Sequence, residues 1–200
     1  MHESSFLAME KFKSQYLDKN SILDILDIGS FDSNPKPFNY GLLFNEKNWN
    51  YTGMDIREGP NVDLVVSDIY NWIEIKDESY NVVVSGQAFE HMEFFWKTIV
   101  EIERILKPQG FCCIIAPSTG PVHRNPYDCF RFTADGMKAI GKYAGLEVLE
   151  NYTQTSPVWN DSVLICRKSN SNNNLENRLL ENRLNSLEEK VDILLKEIKE

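Results

Sequence analysis

LEVLENYTQTSPVWNDSVLICRK, residues 146–168, contains two apolar, partly β-branched runs, 146–152 and 162–168, with about nine residues between them. Each run has the length and composition of a β-strand. A parallel return needs a crossover of a dozen or more residues, so these two strands pair antiparallel. The meaning of that hairpin depends on what precedes it.

Upstream, strands and helices alternate. SILDILDI (21–28), WNYTGMDI (49–56), NVDLVV (61–66), YNVVVSG (80–86) and GFCCIIAPS (110–118) read as strands. FFWKTIVEIERILKP (94–108) has helical spacing and stops at Pro108, and TADGMKAIGKYAG (133–145) opens on a cap at Thr133 and ends at Gly145. Alternation of this kind implies an α/β fold with a doubly wound, mostly parallel sheet and helices on both faces. With 146–168 added, the sheet ends in an antiparallel hairpin.

In such sheets ligands bind beyond the carboxyl ends of the strands. The residues there are Asp27-Ile28-Gly29-Ser30-Phe31-Asp32, then Asp55-Ile56, then Ser67-Asp68-Ile69, then Gly86-Gln87-Ala88 with Phe89-Glu90-His91, then Pro117-Ser118. Acidic and polar groups converge on one edge, as a cofactor crevice requires. Asp55 lies 26 residues beyond Gly29, where a carboxylate can accept both hydroxyls of an adenosine ribose. The GxGxxG of dinucleotide sites is missing: the first loop has one glycine and an aspartate, which suits a cationic ligand better than a pyrophosphate.

DILDIGS, YTGMDI, VVSDIYNW, YNVVVSGQAFEHM and RILKPQGF resemble, in order and spacing, the motifs of class I S-adenosylmethionine-dependent methyltransferases, over about residues 20–168. The terminal hairpin also matches that Rossmann-like fold. The resemblance implies S-adenosyl-L-methionine as cofactor, with Asp27, Gly29 and Ser30 along its methionine part. Asp55 would hold the ribose and Ile56 would pack on the adenine. Asp68 would accept from the adenine amino group beside Ile69, and Gly86 and Gln87 would border the sulfonium. The chain departs from the pattern at Ser30-Phe31-Asp32, where many members keep further glycines. Readings without a cofactor stay open for single residues: Asp27 capping a turn, Asp55 as a solvent-facing strand end, Asp68 capping a helix.

The fifth strand leads into GPVHRNPYDCFRF, 120–132, a loop dense in chemistry. Its HRxPxDxxRF pattern resembles methyltransferases associated with cell-surface glycan or sugar modification, which implies a sugar hydroxyl as acceptor. Methyl transfer to a hydroxyl needs alignment and removal of the acceptor's proton. His123, with Asp128 to orient it or act itself, and His91 are the candidate bases. Arg124, Tyr127 and Arg131 are the candidate acceptor ligands. The plainer alternatives are that Arg131 pairs with Asp128 to pin the loop, and that His91 packs near the adenine or caps a helix starting at Glu93. No metal-ligand cluster stands out by spacing; Asp128, Glu90 and His91 are the nearest candidates, and no metal is expected.

Composition bounds the rest. Hydrophobic residues make up 42% of the 200 and charged residues 26%, ordinary for a globular chain. The net charge of −9 argues against a nucleic-acid partner. MHESSFLAMEKFKSQYL lacks the apolar stretch of a signal peptide, and no run of about 18 apolar residues exists. The four cysteines form no CxxC pair, and a reducing, cytoplasmic setting is expected.

The chain is expected to divide into a globular domain (1–168), which the resemblance makes a methyltransferase domain, a polar linker (169–174) and a coiled-coil helix (175–200). In that helix Leu180, Leu184, Leu187, Val191, Leu194 and Ile198 form a heptad seam, with Asn177 in register. About three heptads need a partner, so a homo-oligomer or another protein's coiled coil is expected, the alternative being a helix that folds back onto its own domain. Three other functions fit less well: a methyltransferase for another small-molecule or lipid-linked acceptor, a NAD-dependent sugar oxidoreductase or epimerase, and a non-catalytic module.

Overall fold

The computed structural model describes residues 3–156 and 159–170. The coiled-coil helix expected at 175–200, and most of the linker before it, lie outside the described residues.

Seven strands form one sheet: β1 (Leu23–Ile28), β2 (Trp49–Asp55), β3 (Leu64–Val65), β4 (Tyr80–Gly86), β5 (Leu106–Pro117), β6 (Glu147–Gln154) and β7 (Asp161–Arg167). Their order is β3-β2-β1-β4-β5-β7-β6. The first five pair parallel, and β7 lies antiparallel between β5 and β6. The hairpin read at 146–168 is therefore present, with β7 rather than β6 meeting the parallel part. The chain reverses direction across the sheet between β1 and β4, which is the switch point where a ligand crevice opens.

Successive strand residues face opposite sides, and the sequence CysCys at 112–113 makes this concrete. Cys113 joins Ile25, Val82, Val84, Val163 and Ile165 on one face. Cys112 joins Leu26, Val83, Ile114, Leu164 and Cys166 on the other. Helix α1 (Glu3–Tyr16) and Tyr40, Leu43 and Phe44 cover the first face. Helices α2 (Phe95–Ile105) and α3 (Ala134–Tyr143), with Trp72, cover the second. Thr133 caps α3 as expected, its hydroxyl accepting from Gly136 N at 3.1 Å.

Three details differ from the sequence reading. The helix expected over 94–108 ends at Ile105, and Leu106–Pro117 is strand. Lys107 precedes proline and so disfavours helical backbone, which stops the helix early rather than at Pro108 itself. The strand expected at 61–66 shortens to Leu64–Val65, because Asn61 adopts φ 63°, a left-handed conformation that no strand accommodates. Helix α1 was not anticipated, although Ser5, Ala8, Met9 and Phe12 have the spacing of a buried helical stripe. Among the described residues no helix is long and apolar enough to cross a membrane.

Candidate functional site

A crevice of about 470 Å³ opens at the carboxyl ends of β1, β2 and β4. Its floor begins at Asp27, which ends β1 almost fully buried. Tyr51 Oη donates to Asp27 Oδ2 at 2.7 Å, and Asn61 Nδ2 donates to Tyr51 Oη at 2.9 Å. Asn61 also ties the next loop, giving a bond to Ser30 O and taking one from Ser30 Oγ, at 3.0 and 2.7 Å. The left-handed turn that shortened the third strand is thus what anchors the first ligand loop. Burial pushes the Asp27 carboxyl up to about 7, against the Tyr51 hydrogen bond and helped by the charge of Asp55.

Gly29 begins that loop at φ 74°, and a β-carbon there would stand 2.5 Å from Ala88 Cβ. The glycine is required on both counts. Asp55, at the end of β2, turns its carboxylate toward the loop: Oδ2 accepts from Phe31 N at 3.3 Å and Oδ1 from Ile56 N at 2.8 Å. Asp32, which made the loop look suited to a cation, closes its own turn instead. It accepts from Phe38 N, Asn39 Nδ2, Asn34 N and Asn34 Nδ2. Those bonds outweigh burial and hold its carboxyl at about 2. Of the carboxylates that line the crevice, Asp32 is committed to its own turn, which leaves those of Asp27, Asp55 and Glu93 for a ligand.

Asp27, Gly29, Ser30, Asp55, Ile56, Ile69, Gly86 and Gln87, scattered over 61 residues of chain, line this one crevice. Asp68 does not; its carboxylate accepts from Tyr70 N at 2.8 Å and closes a turn. Tyr40 was missed by the sequence reading. It is fully buried under Gly86, its hydroxyl 2.7 Å from Ser5 Oγ, so α1 and the 3-10 turn Tyr40–Leu42 set the wall of the crevice from behind. No local pattern marks a tyrosine for that position. Beside it Gln87, at φ 60°, donates to Asp161 Oδ1 at 3.0 Å, linking the crevice to β7.

The opposite side of the crevice is built from the 3-10 turn Phe89–His91 and the loop after β5. His91 and His123, 32 residues apart in sequence, lie with ring centroids 4.9 Å apart, and His123 also meets Trp159 edge-on at 4.9 Å. His91 Nδ1 is 2.5 Å from Tyr127 O. A carbonyl only accepts, so that nitrogen carries the proton. His91 therefore caps no helix. Tyr127 lines the mouth and is 56% exposed.

Two expectations for this loop need correction. Asp128 was a candidate base and Arg131 a candidate acceptor ligand, but they hold each other. Arg131 donates through Nη1 and Nη2 to both Asp128 oxygens at 2.5 and 2.8 Å, and through Nη2 to Pro121 O at 2.8 Å. Asp128 also accepts from His123 N at 2.7 Å. The Arg131 guanidinium holds the Asp128 carboxyl well below the usual range, which makes it a poor proton acceptor at neutral pH. Neither residue lines the crevice, nor does Arg124, which is exposed. The pair fixes the loop that carries His123 and Tyr127.

Residues 40–114 match a family model described as a methyltransferase domain. The fold is similar to that of 1,6-didemethyltoxoflavin-N1-methyltransferase from Burkholderia thailandensis, solved with S-adenosylhomocysteine: TM-score 0.66, 13% identity, 84% of this chain and 79% of that one. It is similar to phosphoethanolamine N-methyltransferase 2 of Haemonchus contortus, in complex with S-adenosyl-L-methionine, at TM-score 0.62 and 14% identity over 82% of this chain and 52% of that one. It is also similar to the [4+2]-cyclase SpnF, at TM-score 0.64 and 14% identity over 81% of each chain. At these identities the likeness is one of fold. No curated protein matches the sequence.

Proposed function

We propose that this chain, which carries a methyltransferase domain on the Rossmann-like methyltransferase fold, is an S-adenosylmethionine-dependent O-methyltransferase acting on a hydroxyl of a small polar acceptor, a sugar or glycan end. The observation that carries the reading is the polarity of the crevice: buried and half-buried carboxylates on one side, two imidazoles on the other. The bound cofactor supplies an electrophilic methyl group on a sulfonium. Asp55 holds the ribose hydroxyls, with Ile56 and Ile69 against the adenine. Asp27, Gly29 and Ser30 bind the amino-acid part, and Gly86 and Gln87 border the sulfonium. The residues present fit such a ligand, because the acidic floor complements its ammonium and the single-glycine loop makes no phosphate cradle.

The acceptor is placed at the mouth by Tyr127, whose exposed ring offers a face for a sugar to stack on. His123 takes the acceptor's proton, and His91 stands beside it in a fixed tautomer. The acceptor's identity is drawn from the likeness of the HRxPxDxxRF loop and from this histidine pair. A fold that also serves a cyclase does not name a substrate. The deciding experiment is calorimetric titration of S-adenosylhomocysteine, with NAD as comparison. Micromolar or tighter binding of the first and none of the second is expected; the reverse preference sinks the reading.

A pH dependence follows from Asp27. Its folded carboxyl sits at about 7, whereas an unfolded aspartate titrates at about 4. The stability it contributes is fully present below the lower value, is lost as pH rises through the upper one, and is constant beyond it. A cationic ligand beside Asp27 favours the carboxylate, so binding expels this proton. Affinity for S-adenosylhomocysteine is expected to rise with pH, up to about tenfold per unit, and to level off above about 7. Calorimetry in buffers of different ionisation enthalpy reads the released proton. A flat affinity from pH 5.5 to 7.5 places the ligand's ammonium away from Asp27.

A further inference from the structure

Behind the acceptor end of the crevice lies a group that methyl transfer, as described, leaves without a role. Glu90, in the turn Phe89–His91, is fully buried, and among the described residues neither carboxylate oxygen has a hydrogen-bond partner of good geometry, although its own backbone N–H leans toward them. Its backbone carbonyl, by contrast, accepts from Cys129 N at 2.7 Å and Phe130 N at 3.2 Å, so the turn is locked in place. A carboxylate buried with no donor is costly unless something else satisfies it. Burial pushes this carboxyl up to about 8, opposed by its own backbone N–H and then by Arg131, and reinforced by Asp161 and Asp128. The Arg131 fork is committed to Asp128 and Pro121 O, so it does not supply the missing partner.

Glu90 faces the histidine pair. Glu90 Oε1 is 3.6 Å from His91 Nε2. Since His91 Nδ1 donates to Tyr127 O, Nε2 presents a lone pair toward that oxygen. The two atoms are satisfied at that separation only if a proton or a metal ion sits between them. One nitrogen of His91, one of His123 and one Glu90 oxygen all lie within 4.8 Å of one another. Two ligands each about 2.1 Å from a tetrahedral ion are about 3.4 Å apart, so the Glu90–His91 spacing of 3.6 Å needs almost no adjustment, and the 4.8 Å bound on the whole cluster leaves only a small rearrangement of the side chains.

We propose that Glu90, His91 and His123 form a site for one divalent transition-metal ion at the acceptor end of the crevice. Two imidazoles and one carboxylate suit zinc, cobalt(II), iron(II) or manganese(II), whereas magnesium and calcium prefer oxygen ligands throughout. One supporting hydrogen bond is in place and one charged group is nearby. The Tyr127 carbonyl orients His91, and the Asp128 carboxylate stands 3.7 Å from His123 Nδ1. His91 and His123 line the crevice, so a further coordination position faces the acceptor.

What the ion does there rests on the methyltransferase reading, although the site itself does not. An acceptor hydroxyl coordinated to it has a lowered pKa and gives its proton to solvent. In the loaded protein the two imidazoles are then ligands, and the ion replaces His123 in activating the hydroxyl.

The test is titration of the full-length, chelator-treated protein with cobalt(II), followed by visible absorption, with zinc competition and a magnesium comparison. S-adenosylhomocysteine binding is measured on the same samples. One equivalent per chain is expected, displaced by zinc and unaffected by magnesium. His123→Ala and Glu90→Gln should each weaken it by at least about 100-fold, since losing a ligand exceeds the 10–100-fold cost of losing a supporting group. His123 is at the crevice surface, so its variant tests the site even if Glu90→Gln fails to fold. Absence of stoichiometric binding, affinity unmoved by His123→Ala, or equal affinity for magnesium overturns the proposal; Glu90 is then a neutral acid sharing its proton with His91. Cobalt binding without S-adenosylhomocysteine binding leaves the site standing and removes the methyltransferase reading, and the converse result does the opposite.

Discussion

Asp55→Ala is expected to weaken S-adenosylhomocysteine binding by about 100-fold or more. The carboxylate at the end of β2 faces the crevice, and a ribose diol would donate two hydrogen bonds to it. Bonds to a charged acceptor contribute about 1.5–3 kcal/mol each, and about 1.4 kcal/mol is a factor of ten in affinity. Asp55 also accepts from Phe31 N and Ile56 N, so its removal loosens the loop over the site as well. Asp55→Asn separates the two effects. The amide oxygen keeps an acceptor for one backbone N–H but loses the charge, and about a tenfold loss is expected. Calorimetry reads the affinity, and thermal melting of the ligand-free protein reads any damage to the loop. If the alanine variant binds within about threefold of the parent, the ribose lies elsewhere and the orientation assigned to the cofactor is wrong.

Gly86→Ala is expected to destabilise the protein by about 2–3 kcal/mol, the range of overpacking in a filled core, and to remove cofactor binding with it. A β-carbon at Gly86 would overlap Tyr40 Oη and stand 2.6 Å from its Cζ. Tyr40 has no room to retreat: it is fully buried, its hydroxyl is held by Ser5 on α1, and Val84 and Ile115 pack in the same layer. Tyr40→Ala alone leaves a cavity and costs stability by itself. In that background, however, Gly86→Ala should cost almost nothing, because the atoms it would strike are gone. Denaturant unfolding of the two single variants and the double variant forms a cycle with a coupling of at least about 2 kcal/mol, within the range for residues in direct contact. Additive effects would mean that the glycine is required for some reason other than the tyrosine.

The two substitutions probe different kinds of information. Asp55 is legible in the sequence because its position depends only on the end of an apolar run and its distance from Gly29. The same holds for Asp27, Gly29 and Gly86, each at the end of a strand. Tyr40 is not legible. It sits in the long connection between β1 and β2, on a short 3-10 turn, and reaches its place beneath Gly86 only because α1 packs over the sheet.

Loop chemistry misled in a consistent way. Asp32, Asp128 and Arg131 carry charges that sequence reading assigns to a ligand. Each spends that charge on its own loop, where backbone N–H and C=O groups without a sheet partner compete for it.

By itself, then, the sequence determined the strands, the helices α2 and α3, and the direction in which the strands run, but not helix α1. Strand periodicity, a proline that ends a helix and a nine-residue connection that forces antiparallel pairing are local facts, and local facts suffice for a doubly wound sheet closed by a hairpin. They also place the acidic strand ends on one edge. Only the tertiary structure decided which charges remain for a ligand and which distant groups meet. His91 and His123 are 32 residues apart with nothing in their spacing to join them, and Glu90 stands in the sequence only as one of three scattered metal-ligand candidates, with Asp128 rather than His123 beside it and His91. Their convergence follows from parallel pairing of β4 with β5, which brings the segments after both strands to the same end of the sheet. Burial of Glu90 depends on how the loop after β5 folds back over it, a long-range packing event that no residue in either segment announces.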